Sequence, residues 1–242
     1  MLNQINAVVW KEAHELFQQR GLRGALFNWV IMVGLGGIYI PLQSEGQWFS
    51  NPFFMIVWAW LPMISVMQIV ADTFAGERER HTLETLLASK LSDKAILWGK
   101  VLSVVFYGWS IQFASLILAA IVMNIAGWTG TLQFYSLTTL LGLVPLIMLM
   151  IVLVAAIGTL ISLRSATVRS AYQKMMIGFF VVIFGFSGLA KVMPGAVAFL
   201  ETMQDIPLQS LLVGSLGLLL IDSVLIMLGA TRFKRETLIS LL

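Results

Sequence analysis

Residues 72–100, DTFAGERERHTLETLLASKLSDKAILWGK, hold Asp72, Glu77, Arg78, Glu79, Arg80, Glu84, Lys90, Asp93, Lys94 and Lys100, while the flanking stretches 55–70 and 101–125 carry no charge. Carboxylates and cations interleaved in this way can form ion pairs that change partner, or can dock on another protein. They do not form a nucleotide site, because Gly99-Lys100 lacks both the upstream glycine and the following Ser or Thr of a phosphate-cradling loop. No His-Glu-x-x-His helix and no Gly-x-Ser-x-Gly turn occurs, and His14 and His81 are the two histidines. Cysteine is absent, which excludes disulfides, thiolate catalysis and cysteine-held metals. The chain therefore reads as no enzyme and as binding no cofactor or metal of its own. Apart from the charged run, the carboxylate that stands out is Asp222, set in the apolar stretch GLLLIDSVLIML.

The elements that position the charged run follow from its pattern. Leu83, Leu86 and Leu87 recur at three- and four-residue spacing, which predicts an amphipathic helix with Glu77, Arg78, Glu84 and Thr85 turned outward and Leu83 and Leu87 seating it. Ser92 followed by Asp93 predicts an N-cap with a carboxylate in the first turn, restarting a helix that runs through Ile96 and Leu97 into the next apolar stretch. The two helices are expected to meet near Lys90.

In order, Gly76-Glu77-Arg78-Glu79, Thr82-Leu83-Glu84, Leu86-Leu87, Ser92 and Gly99-Lys100 resemble the signature of the type-2 ABC transporter permease family, which runs G-E-R-E, a glycine, T-L-E, a leucine pair, a proline, a serine and a terminal G-K. His81 stands where that family usually has glycine, and Lys90 stands near its usual proline. The resemblance implies an exporter permease whose segment 72–100 docks on a separate ATP-binding subunit, which holds the ATP and Mg. It implies ATPase-coupling roles for Glu77, Arg78, Glu79, Thr82, Leu83, Glu84 and Leu87, pairing as a homodimer or with a similar permease, and a place in the prokaryotic plasma (inner) membrane. Nucleic acid is not among the partners it implies.

Composition agrees on the setting. Of 242 residues, 59% are hydrophobic and 11% charged, with a mean hydropathy of +0.90, outside the range of an ordinary soluble domain. Apolar runs near the ~20 residues that a membrane helix needs predict an all-α integral membrane protein with six spans: 25–41, 52–71, 101–126, 137–163, 175–190 and 211–230. Residues 1–24, with Trp10 among Lys11, Glu12, His14 and Glu15, predict an amphipathic helix lying in the membrane surface rather than a signal peptide. A second surface helix is expected within 191–210, around Val197, Phe199, Leu200 and Met203. Pro62 and Pro145 predict kinks. Gly34-Leu35-Gly36-Gly37 predicts close helix packing, since no strand or acidic partner accompanies it.

With both termini inside, every Lys and Arg of the lead-in, of 72–100, of 164–174 and of 232–235 falls on the cytosolic side, and Lys191 alone falls outside. That asymmetry satisfies the positive-inside rule. Asp222 inside a span costs about 2.5–3.5 kcal/mol. It can serve a translocation pathway with Gln112 and Gln68, or be a structural residue bonded to Gln112 or Asn28. The expected function is the permease of an ATP-driven exporter, moving a hydrophobic or amphipathic substrate by alternating access. Two rivals are an ATPase-independent secondary transporter or channel that uses Asp222 as a proton or ion site, and a scaffold subunit that moves nothing.

Overall fold

The structure, a computed structural model, describes residues 1–19, 21–44, 46–128, 130–192 and 207–233, with backbone only for 15–19, 21–26, 53, 87, 183, 186–192 and 232. The described residues form helices and no strand. They are α1 (Leu2–Gln19), α2 (Gly21–Gly34), α3 (Ile40–Gln43), α4 (Pro52–Glu79), α5 (Leu83–Ala88), α6 (Asp93–Ala126), α7 (Val144–Leu163), α8 (Val168–Val192) and α9 (Leu208–Arg232). Among these residues, four stretches are long and apolar enough to cross a membrane: Phe54–Glu79, Asp93–Ala126, Thr139–Leu163 and Leu208–Thr231. A shorter apolar helix covers Phe27–Gln43. The surface helix expected within 191–210 falls largely on 193–206, outside the described residues.

Two widened turns share one cause. A π turn at Leu35–Tyr39 joins α2 to α3 and another at Thr139–Leu143 leads into α7, and each ends just short of a proline, Pro41 or Pro145. A proline ring collides with the carbonyl four residues earlier and offers no N–H. The residue before each proline instead closes a bond five residues back, Ile40 N–H to the Leu35 carbonyl and Val144 N–H to that of Thr139. The kink expected at Pro145 is thus taken up by the turn before it. Pro62 lies inside α4, which continues unbroken on either side.

α4 lies at the centre, against α6, α7 and α8. Residues without bulk allow the close approach. A Cβ on Gly108 of α6 would stand 2.6 Å from Val66 of α4 and 2.7 Å from Ile151 of α7, and one on Gly158 of α7 would collide with Val70. The glycines expected to pack helices do so: a Cβ on Gly36 would meet Trp58 Nε1 at 2.6 Å, and one on Gly37 would meet Leu118 at 2.8 Å. α9 runs along α7, with Leu211 over Gly142 at one end and Gly229 near Leu160 at the other.

The end of the bundle away from α5 is pinned by side chains. Trp48 Nε1 donates to the Tyr135 hydroxyl at 3.1 Å, which donates to the Leu116 carbonyl at 2.8 Å. Burial pushes the Tyr135 phenol up to about 12, against the lowering effect of the Trp48 bond.

Candidate coupling site

α4 does not stop at the end of its apolar stretch but continues to Glu79, and there its last turns meet α1, α5, α6, α7 and α8. The chain then makes a tight elbow. Thr82 N–H returns to the Glu77 carbonyl at 2.9 Å, and His81 takes a left-handed conformation with φ of 58°. α5 forms beyond it, with the Leu86 N–H bonded to the Thr82 carbonyl at 3.0 Å. Ser92 caps α6 as expected, accepting from Ala95 N–H at 3.3 Å, and its hydroxyl donates to Gln4 of α1 at 3.1 Å.

Glu77 is the hub of this site. One of its carboxylate oxygens lies 3.3 Å from Lys100 Nζ and 3.3 Å from Lys11 Nζ, and the other accepts from the Thr82 hydroxyl. Lys100, 1% exposed, also meets Glu12 at 2.7 Å and sits 5.4 Å above the Phe74 ring. Ions buried this deeply are held only when paired and hydrogen-bonded. Here the partners come from α1, α4 and α6. On α1, Gln4, Val8, Lys11 and Glu12 share one face at helical spacing, and Gly99 of α6 lets Val8 approach to 2.5 Å from where a Cβ would stand. Trp10, on another face of α1, is 70% exposed and stacks on His14.

The neighbours of Glu77 reach elsewhere. Arg78 Nη2 donates to the Leu163 carbonyl at 3.0 Å and Nη1 to that of Ser165, tying α4 to the turn between α7 and α8. Glu79 accepts from Val168 N–H at 3.0 Å, so it caps the first turn of α8. Ser162 of α7 enters the α4 ladder: its Oγ accepts from Phe74 and Ala75 N–H at 3.1 and 3.0 Å and donates to the Ala71 carbonyl at 2.9 Å. Gly76 leaves room beside α4 for Asp72 and Arg80, which pair at 3.0 Å.

This corrects the expectation that Glu77 and Arg78 face outward. The helical phase read from the leucines belongs to α5 alone. The break at Arg80–Thr82 resets it, so Glu77 is buried and Arg78 half-buried against the bundle. Glu84 and Thr85 are exposed, as the pattern predicts. Leu83 and Leu86 root α5 in a cluster with Phe74, Ile96, Leu97, Leu163 and Phe233, which belong to or adjoin α4, α6, α7 and α9. The Leu87 side chain lies outside the described set.

The remaining candidates are dispersed. Gln112 is fully buried and donates to the Val144 carbonyl at 3.2 Å, Gln68 is half-buried on α4, and Asn28 donates to the Tyr107 hydroxyl at 3.3 Å. Asp222 is buried on α9, and neither of its oxygens has a hydrogen-bond partner among the described residues, so the expected bond to Gln112 or Asn28 is not formed. Sequence reasoning missed Lys11, Glu12 and Ser162. The signal for the first two was their three- and four-residue spacing from Val8, on the face that also holds Gln4.

The fold and this site define a helical integral membrane protein with a charge-tied elbow at one end of its bundle. The chain belongs to the ABC-2 family of transporter proteins, whose model, described as ABC-2 family transporter protein, matches residues 37–231. It is accordingly a type-2 ABC transporter permease, of a family whose members are membrane subunits without an ATP-binding motif and normally pair with an ATP-binding subunit. Comparison with curated proteins gives no match.

Proposed function

We propose that this permease serves an ATP-driven exporter of a hydrophobic or amphipathic substrate, with α5 as the coupling helix that enters a groove on a cytosolic ATPase. In this reading six spans cross the prokaryotic plasma membrane, with 175–190 in α8 as the fifth. Both termini are cytosolic, and two like subunits enclose the pathway. The observation that carries it is the construction of α5. Its outer face offers Glu84 and Thr85 to a partner, while its inner face is anchored by Leu83 and Leu86 to side chains of the spanning helices. A push on α5 then moves those helices as a body, provided that the ATPase contacts it differently in its two nucleotide states.

The test is purification of the solubilised chain from its native membranes, assayed for a co-purifying ATPase. A stoichiometric ATPase that is lost on Glu84→Arg supports docking through α5. An ATPase retained at full coupling in that variant, with transport intact, would sink it. One observation favours the carrier reading, the buried carboxylate of Asp222 without a partner among the described residues. A chain that purifies alone and carries ions into liposomes, with the flux abolished by Asp222→Asn, would establish that reading instead.

A further inference from the structure

A groove of about 450 Å³ runs between α4, α7 and α8, within the size range of a ligand pocket. Its walls are apolar, with Met63 and Met67 from α4, Met150 and Ile157 from α7, and Phe179 from α8. Glycines shape it at two places. At Gly158 a Cβ would collide with Val70 and stand 2.9 Å from Met175 Sδ, so the three helices converge there, whereas Gly178 on α8 faces open space with no atom within 4 Å. The lining extends from Leu143, just before α7, to Ile161 within it, a rise of about 27 Å, close to the ~30 Å hydrocarbon thickness of a bilayer.

Among the described residues, one charged side chain lines this groove, Lys174, near the convergence and at the same end of the bundle as the Glu77 site. Lys174 is exposed, donates to Ser165 Oγ at 3.2 Å, and pairs with no carboxylate among the described residues. Arg78 binds the carbonyl of the same Ser165, and Arg164 beside it and Arg169 at the start of α8 are exposed. An apolar trough that ends at a cation with no counter-charge among the described residues is complementary to an amphiphile with an anionic head and an apolar tail. A wholly apolar occupant would desolvate Lys174 with nothing to neutralise it, and the lysine stem is long enough to reach headgroup depth.

We propose that this groove seats an acidic phospholipid from the leaflet on the basic side, one acyl chain lying along α7 and the phosphate meeting Lys174. The site needs only that the chain is embedded in a bilayer, so it stands apart from docking of an ATPase.

The experiment is native mass spectrometry of the full chain in detergent, offered equimolar phosphatidylglycerol and phosphatidylcholine. The wild-type chain is expected to retain phosphatidylglycerol about fivefold over phosphatidylcholine. Lys174→Gln should bring that ratio near one, and Lys174→Arg should restore it. Gly178→Leu, which projects into open space, should reduce retention of both lipids. Equal retention by the wild-type chain, a preference that survives Lys174→Gln, or retention unchanged by Gly178→Leu would overturn the proposal. So would efficient disulfide linkage of two copies through Gly178→Cys in this cysteine-free chain, which would assign the groove to a protein interface.

Discussion

Glu77 and Asp222 are both buried carboxylates, held under opposite conditions. Glu77 lies in the last turn of α4, the most buried of the four spanning candidates, and Thr82 from the elbow together with Lys11 and Lys100 from distant helices converge on its two oxygens. Asp222 lies on α9, the most exposed of the four spanning candidates, and its oxygens meet no donor among the described residues. A buried charge whose partners come from several helices holds those helices in register. One without a partner weakens the fold that contains it, so its presence weighs for a role other than stability.

The sharpest way to break this contrast is to remove a cation from the first site. Lys100→Met leaves Glu77 and Glu12 facing each other with Lys11 alone between them, and breaking a buried network in this way costs about 3–5 kcal/mol. Denaturant unfolding in detergent should show that loss, and the double variant Lys100→Met with Glu77→Gln should lose clearly less than the sum of the two. An unchanged midpoint in Lys100→Met would mean that the network does not hold the elbow. At the second site the sign reverses. Asp222→Leu should raise stability by about 1–3 kcal/mol, the desolvation cost of an unsatisfied polar group. A fall instead would reveal a partner for Asp222 in the assembled transporter and erase the contrast.

How far these sites are legible in the sequence divides along the same line. The restart at Ser92, the apolar root of α5 and the glycine packing are readable, because each depends on local spacing. The inward turn of Glu77 is not, since it depends on where α4 ends, and no breaker residue marks the stop at Glu79. The amphipathic pattern of α1, taken alone, predicts a helix on the membrane surface. One of its polar faces in fact lies on α6, and that pairing joins residues 88 positions apart at Glu12 and Lys100. Asp222 is visible as an anomaly, but its neighbours are a matter of tertiary packing, which periodicity does not encode.

Glu79 and Glu84 separate the inner and outer sides of the elbow by a smaller effect. Glu79→Ala removes the cap on α8 and should cost about 1 kcal/mol, detectable as faster amide exchange at the start of that helix. Glu84→Arg alters an exposed side chain and should leave stability within about 0.5 kcal/mol. If both variants lose ATPase coupling, the Glu79 effect passes through α8 and the Glu84 effect through the docking face. A Glu84→Arg chain destabilised as much as the Glu79→Ala chain would remove that distinction.

The smallest effect concerns His81, where the permease signature has glycine. At φ of 58° a side chain is disfavoured by about 1–2 kcal/mol relative to right-handed backbone, whereas glycine adopts this conformation freely but loses more chain entropy on folding. The two terms nearly offset, so His81→Gly should gain less than about 1 kcal/mol, and His81→Val should lose more than that, because a β-branched residue is still worse there. A differential melt of the three chains checks the order. The other departure is compatible with the same backbone. Ser89 already holds φ of −66° and ψ of 159°, the extended conformation that a following proline would demand, so with Lys90 in place of proline the chain keeps the turn without the rigid ring. If His81→Gly proved strongly destabilising, the left-handed residue would be held by contacts of the histidine itself, and the elbow's shape would owe less to its backbone than to that side chain.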